Sequence, residues 1–298
     1  MRNTYRNLIN CEEIALKLQK RIASGVFDLG DNPQIATITV DNEIENSILS
    51  INNADVFSRT DMMTVNSKVP STVTTDELIN LVEFYNRSED INGILVSLPL
   101  PPHIDEIAVL SAIHPLKDVS GYTIDNLGKL MIDSEEALIP FTPAGIFEVI
   151  KHSMPNYKNK KALIVGGSKL FSKALSILLQ NNNMIVLNTN PTSQDDIKIH
   201  IHNFKPDILI TAACIKNLID IDTINNTTVK TFIDCSIIVE EDYKGITGDF
   251  NKEQYTELDR SGIEWTTITN GLTFVSSTML AHNLLKAYNL QEEAWYNN

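Results

Sequence analysis

The sequence predicts an α/β protein. Short apolar runs of strand length alternate with longer amphipathic runs of helical spacing, a pattern that favours parallel sheets covered by helices over a sandwich or a bundle. At 298 residues and 43% hydrophobic, the chain is also long enough for two lobes, each with its own core.

The elements follow in order. Leu8, Ile9, Ile14, Ala15, Leu18 and Ile22 recur at helical spacing and predict a first helix over 8–22, and Ile35 to Val40 then reads as a buried strand. A polar helix is expected around Glu45 to Val56. Thr75 begins a capped helix through Tyr85, and Gly93-Ile94-Leu95-Val96 is a short buried strand that stops at the prolines of 98–102. That order places 97–103 at the carboxyl end of a strand, where open α/β sheets usually hold ligands. Phe141-Thr142-Pro143-Ala144-Gly145 and the apolar run to Ile150 predict a helix entering a new lobe. Beyond it, strand Lys161–Val165, the tight turn Gly166-Gly167-Ser168, helix Leu170–Leu179 and strand Met184–Leu187 make one βαβ unit. Strands at 208–210 and 232–234 extend that sheet, and a last helix, 277–288, follows a loop containing Asn270-Gly271. The expected division is 1–143 plus the C-terminal helix 275–298 for one lobe and 144–274 for the other.

Composition narrows the functional classes. Lys and Arg total 24 against 38 Asp and Glu, a formal charge of −14, and the basic residues form no cluster along the sequence that could track a phosphate backbone. Neither nucleic acid nor membrane is an expected partner, because no stretch approaches the roughly 18 apolar residues of a membrane span. Cys11, Cys214 and Cys235 are widely spaced, without a C-x-x-C pair, and read as free thiols of a cytoplasmic protein.

The motifs taken singly are ambiguous. Val165-Gly166-Gly167-Ser168 at a strand-to-helix turn either presents amides and a helix N-terminus to a phosphate or is a structural βα turn, since Phe171-Ser172-Lys173-Ala174 follows where a dinucleotide fingerprint wants glycine. Asp234 ends a strand and either caps it or binds; capping is the expected role. In His114-Pro115-Leu116-Lys117-Asp118-Val119-Ser120-Gly121-Tyr122, the Lys-Asp pair reads as a surface ion pair on a solvated loop. His103 and His114 lack metal-ligand spacing and read as loop histidines. No Ser-His-Asp order, G-x-S-x-G elbow or carboxylate pair points to a hydrolase.

Together, several segments resemble the bifunctional methylenetetrahydrofolate dehydrogenase/cyclohydrolase family in order and spacing: GILVSLPLPPHID (93–105), HPLKDVSGYTIDNLGKL (114–130), FTPAGIFEVI (141–150), KALIVGGSKLFSKALSILL (161–179), DILITAACIKNLI (207–219) and GDF (248–250). The resemblance spans essentially the whole chain. It implies an N-terminal lobe and an NAD(P)-binding Rossmann lobe with a folate cleft between them, a last helix returning to the first lobe, and a homodimer joined through the Rossmann lobe. The implied substrate cleft is lined by Leu49, Asn53, Ser97, Pro99, Ser120 and Thr273, and the implied cofactor positions are Gly166, Gly167, Ser168, Thr192, Cys214 and Ser236.

The departures from the family pattern fall on its chemistry. The family's pterin-stacking Tyr and proton-handling Lys correspond by spacing to Leu49 and Asn53, and residues 41–67 contain no Tyr and no Lys at all. Arg59 is the only basic residue there, and a guanidinium does not release its proton. Ser97 stands for the family's Gln and Ser120 for its Asp, while Lys117, Asp118 and Gly121 are retained. In the cofactor lobe Gly167 stands for an Arg that often reads the 2′-phosphate of NADP. Ser172, Ala174, Cys214 and Ser236 replace the Gly, Pro, Gly and Gly of the pattern, and Thr269 to Phe274 replaces its glycine-rich loop. The expectation is a catalytically impaired relative that works by binding a protein or an altered folate-like ligand, with weak NAD or NADP affinity. The alternative is an enzyme, with residual or new chemistry in the same cleft.

Overall fold

The computed structural model describes residues 5–40, 53–190, 193–239, 245–268 and 271–296. The chain divides into two compact units, one of Met1–Ile14 with Pro143–Val275, the other of Ala15–Thr142 with Ser276–Asn298. The first fourteen residues, expected with the N-terminal lobe, belong instead to the unit containing 143–275. The reason is local: Ile9 donates its amide to the Trp265 carbonyl, and Leu8 bridges Trp265 as an added parallel residue.

The Ala15–Thr142 unit is built on a parallel sheet of order β2-β1-β3, with β1 at Gln34–Val40, β2 at Met63–Val69 and β3 at Gly93–Val96. Helix α1 spans Cys11–Leu29, longer than the apolar pattern alone suggested, and α2 is the helix over 53–59. The rest of the helix expected from Glu45 lies outside the described residues. Strand β2 was not anticipated. Its sequence MTVNSKV is largely polar because it pairs on one side only and stays half exposed. Helix α3, Thr75–Arg87, starts with a capping box in which the Thr74 hydroxyl accepts from the Glu77 amide and the Glu77 carboxylate accepts from the Thr74 amide. Short helices α4 (Glu106–Ser111) and α5 (Ile124–Met131) follow.

The Pro143–Val275 unit is entered through α6, Phe141–Ser153, and holds five parallel strands: β4 (Lys161–Gly166), β5 (Ile185–Thr189), β6 (Ile208–Ala212), β7 (Thr231–Asp234) and β10 (Glu264–Thr267). Two-residue strands β8 (Ile238–Val239) and β9 (Ile246–Thr247) form a separate ribbon. The sheet order is β10-β7-β6-β4-β5, crossed by α7 (Lys169–Asn181), α8 (Gln194–Phe204), α9 (Ile221–Ile224) and α10 (Tyr255–Arg260). Central strands β4, β6 and β7 are buried almost end to end, as expected where helices cover both faces. Leu163, Phe232, Phe250, Leu258 and Trp265 anchor the core, with Tyr255 stacked between Phe250 and Trp265 at centroid distances of 5.8 and 4.8 Å. The final helix α11 runs from Leu272 to Tyr296, well beyond the expected 277–288.

Both sheets place their topological switch between strands whose ends carry candidate residues. In the smaller sheet the chain leaves β1 for β2 on one side and returns to β3 on the other. In the larger it leaves β4 for β5 and returns to β6. The crevice beyond the carboxyl ends of such a strand pair is the usual ligand position in open α/β sheets.

Candidate active site and cofactor turn

At the switch of the smaller sheet, Ser97 follows β3 and donates its amide to the Ile38 carbonyl at 2.9 Å. Its hydroxyl lies 3.2 Å from the Thr39 hydroxyl at the end of β1. Asn53 opens the described part of α2; it is buried, and its amide oxygen has no hydrogen-bond partner. Pro99 is exposed and follows a cis Leu98–Pro99 peptide. Leu49 lies outside the described residues. Arg59 pairs with Asp55 at 2.8 Å on the surface of α2.

The 114–126 loop differs from a solvated loop with an ion pair. Lys117 and Asp118 are both buried and serve separate structural tasks. The Lys117 ammonium donates to the carbonyls of Tyr85, Asn86 and Ser88 at 3.3, 2.9 and 2.7 Å, closing the carboxyl end of α3, where a cation also complements the helix dipole. Burial pushes its pKa down, only partly offset by Glu89. Asp118 is fully buried yet satisfied. One oxygen accepts from the Ser120 hydroxyl at 2.5 Å and the Gly121 amide at 2.9 Å, the other from the Thr123 amide at 2.7 Å and the Asn126 side chain at 3.1 Å. Gly121 adopts φ +78° against the backbone of Leu138–Pro140, a position no side chain could occupy. Ser120 is therefore committed to Asp118 rather than held open as a donor. Tyr122 is pushed above the usual phenol range by burial first and then by Asp118 and Glu106.

Thr39, Asn53 and Ser97 are neutral hydrogen-bonding groups of this unit, and Ser120 is engaged by Asp118. His103 and His114 have structural roles as well: a His103 ring nitrogen contacts the Val73 carbonyl at 3.0 Å, and His114 Nδ1 accepts from the Leu116 amide. Among the described residues no group of three or more His, Cys, Asp or Glu could hold a metal ion.

In the other unit, the turn after β4 holds Gly166 and Gly167 at φ +78° and +90°. A side chain at Gly166 would come within 2.6 Å of the Ala213 backbone, so this glycine is required where β4 and β6 end together. At Gly167 the neighbour is the Phe171 ring, 2.7 Å from where a Cβ would stand. Ser168 caps α7 by accepting the Phe171 amide, which removes one first-turn donor from an incoming phosphate. Ser172 is buried and its hydroxyl donates back to the Ser168 carbonyl at 3.0 Å, so it does not point at the turn's open side.

Cys214, at φ +54°, donates its amide to the Ser236 hydroxyl at 3.0 Å. Thr192 lies outside the described residues, and Thr273 is buried in the first turn of α11, within this same unit.

Two buried carboxylates that the sequence does not single out as a pair organise this rim. Asp249 accepts from the amides of Ala213 and Ile215, both at 2.8 Å. Asp234 accepts from Ser236 and Phe250 at 3.0 and 2.9 Å, a turn-holding role in keeping with the capping expectation. Burial, and next the negative charge of Asp249, raise Asp234 to about 7 against backbone hydrogen bonds that act the other way. The GDF segment could have revealed the pairing, because Gly248 packs directly on the Asp234 carboxylate and admits no side chain.

Comparison with known proteins places these two units. Residues 9–120 match the family described as tetrahydrofolate dehydrogenase/cyclohydrolase, catalytic domain, and residues 140–292 match its NAD(P)-binding domain. The bifunctional protein FolD of Acetivibrio thermocellus is 31% identical over 289 residues, covering 95% of this chain and 97% of that protein. That of Methanosarcina mazei is 32% identical over 250 residues, 83% and 84% of the two chains. The fold is that of the Trypanosoma brucei methylenetetrahydrofolate dehydrogenase-cyclohydrolase solved with NADP cofactor and inhibitor, with a TM-score of 0.84 and 23% identity over 95% of this chain and 97% of that one. The Campylobacter jejuni enzyme gives 0.83 and 23% over 95% and 99%. The chain belongs to the tetrahydrofolate dehydrogenase/cyclohydrolase family.

Proposed function

We propose that this family member is catalytically impaired and acts by binding, either an altered folate-like ligand or a protein. The observation that carries the reading is the absence of any Tyr or Lys from residues 41–67, joined to the neutral set Asn53, Ser97 and Ser120 at the remaining positions. Loss of one proton-handling group typically lowers rate by about 10²–10⁴-fold, and loss of the orienting groups compounds it. A leucine offers no ring face to a pterin, a deficit of roughly 0.5–1.5 kcal/mol. Exchanging a carboxylate for a hydroxyl removes about 1–2 kcal/mol more, and the engagement of Ser120 with Asp118 deepens that loss. Folate affinity is then about ten- to several-hundred-fold below that of an intact relative.

Cofactor affinity is weak on the same reading, with NAD less disfavoured than NADP, because Gly167 supplies no cation for a 2′-phosphate and the Phe171 ring closes on the turn. A homodimer through the Rossmann unit is part of the proposal. It is supported by the exposed Ile185 on edge strand β5 and the exposed Ile199 on α8, and light scattering of the purified chain checks it.

The deciding experiment assays NAD(P)-dependent oxidation of methylenetetrahydrofolate and hydrolysis of the methenyl form. Turnover of about 1 s⁻¹ or more would sink the impaired reading. It would favour the second reading, a working dehydrogenase/cyclohydrolase, which is supported by similarity to bifunctional FolD proteins over nearly the full length. Leu49→Tyr, Asn53→Lys, Ser97→Gln and Ser120→Asp together raise tetrahydrofolate binding, while each alone does little. Low-micromolar binding by the unaltered chain contradicts the explanation.

A further inference from the structure

At the edge of the larger sheet opposite its switch point, where β4, β6 and β7 begin, two adjoining grooves of about 470 and 400 Å³ share Lys205, Thr227 and Thr228. Lys198 lines the first, and Lys160, Lys161 and Lys230 line the second. The facing carboxylates are Asp222 and Asp207, so five lysines meet two aspartates in a chain whose formal charge is −14. Sequence alone does not reveal this gathering, because the lysines come from three separate segments.

The fold brings them together. The Lys161 amide donates to the Asp207 carboxylate at 3.1 Å, and the ammonium groups of Lys160 and Lys230 stand 3.8 and 3.5 Å from the same carboxylate. Lys205 holds a left-handed conformation as the cap of α8, its amide bonded to the Ile201 carbonyl. The Lys161 ammonium is accounted for by the Phe204 carbonyl at 3.1 Å. Two carboxylates do not neutralise five ammonium groups, and a concave site with excess positive charge concentrates counter-anions.

We propose that these grooves form a binding site for a small molecule carrying two or more phosphate groups. Ammonium groups recognise phosphate as point charges without fixed geometry. The Thr227 and Thr228 hydroxyls donate to the Ile224 and Pro206 carbonyls, so they have no proton left for a neutral sugar. No Phe, Tyr or Trp lines either groove to stack a base, which disfavours single-stranded nucleic acid.

The test is calorimetry of the full chain with inorganic tripolyphosphate at about 0.15 M salt, near physiological ionic strength. The unaltered chain binds with a Kd of about 0.1 mM or below. Lys205→Glu with Lys230→Glu, both exposed, weakens binding by about tenfold or more, and the exposed Lys20→Glu on α1 leaves it unchanged. The proposal is overturned by no binding at millimolar tripolyphosphate, or by binding that the double variant retains, as it would if the anion sat at the 166–168 turn. It is overturned equally if a single-stranded oligonucleotide binds more tightly through these lysines.

Discussion

Substituting Asp234 by Asn should abolish a specific part of the pH dependence of stability. The carboxyl is fully buried, and burial together with Asp249 raises it from an ordinary 3.8 to about 7. In the unfolded chain it ionises near its ordinary value. Between about pH 4 and 7 the native protein therefore holds a proton that the unfolded chain has released, so this group's contribution to stability falls as pH rises through that window and is level above it. A window about three pH units wide, at about 1.4 kcal/mol per pH unit, sets an upper figure of roughly 4 kcal/mol, of which about 3 kcal/mol falls between pH 5 and 7. Asn is close in shape to the protonated acid and keeps one acceptor oxygen for Ser236 or Phe250, so the variant should be slightly weaker at pH 5 and equal or stronger at pH 8. Urea unfolding followed by Trp265 fluorescence in a Trp295→Phe background reports on this unit, since the chain has only two tryptophans. If the variant retains the parent's slope between pH 5 and 7, the carboxylate pair is not the source and the reasoning fails.

Other expectations follow from single contacts. Gly166→Ala meets the Ala213 backbone as well as the left-handed penalty, whereas Gly262→Ala, at φ +81° with nothing within 4 Å, meets only the latter. The second should cost about 1–2 kcal/mol and the first at least about 2 kcal/mol more, by the same fluorescence titration. Lys117→Met leaves three carbonyls at the end of α3 without their charged donor, a loss of about 2–4 kcal/mol, seen as faster amide exchange near residues 85–88. Iodoacetamide at pH 8 should label exposed Cys214 well before Cys11 and Cys235. Burial raises Cys11 to about 11 and pushes Cys235 well above the thiol range, so labelling of either before Cys214 would contradict the assignment.

The α/β class and strands β1, β3, β4, β6 and β7 were legible because helices cover both faces of each sheet, so buried strands read as unbroken apolar runs. Strand β2, half exposed at a sheet edge, and β10, whose sequence EWTT is mostly polar, carry no such run and escaped. The 114–122 segment shows what one sequence hides. Whether Lys117 is solvated depends on the end of a helix about thirty residues earlier, and whether Asp118 is isolated depends on Asn126 folding back onto it. The neutral character of Asn53, Ser97 and Ser120 is plain from the sequence, whereas the engagement of Ser120 by Asp118 is not.

The division of the chain also sets a clock on its synthesis. The unit that begins at Ala15 is not complete at Thr142, because Asn283 donates to the Val119 and Ile139 carbonyls, Gln291 donates to those of Asn92 and Leu116, and Leu284 packs on Gly93. The 133 residues from Pro143 to Val275 must leave the ribosome first. At about 5–20 residues per second that is a delay of roughly 7–27 s, during which the earlier sheet stands without its last helix. A chain stopped before Ser276 would thus damage the half of the protein that was made first.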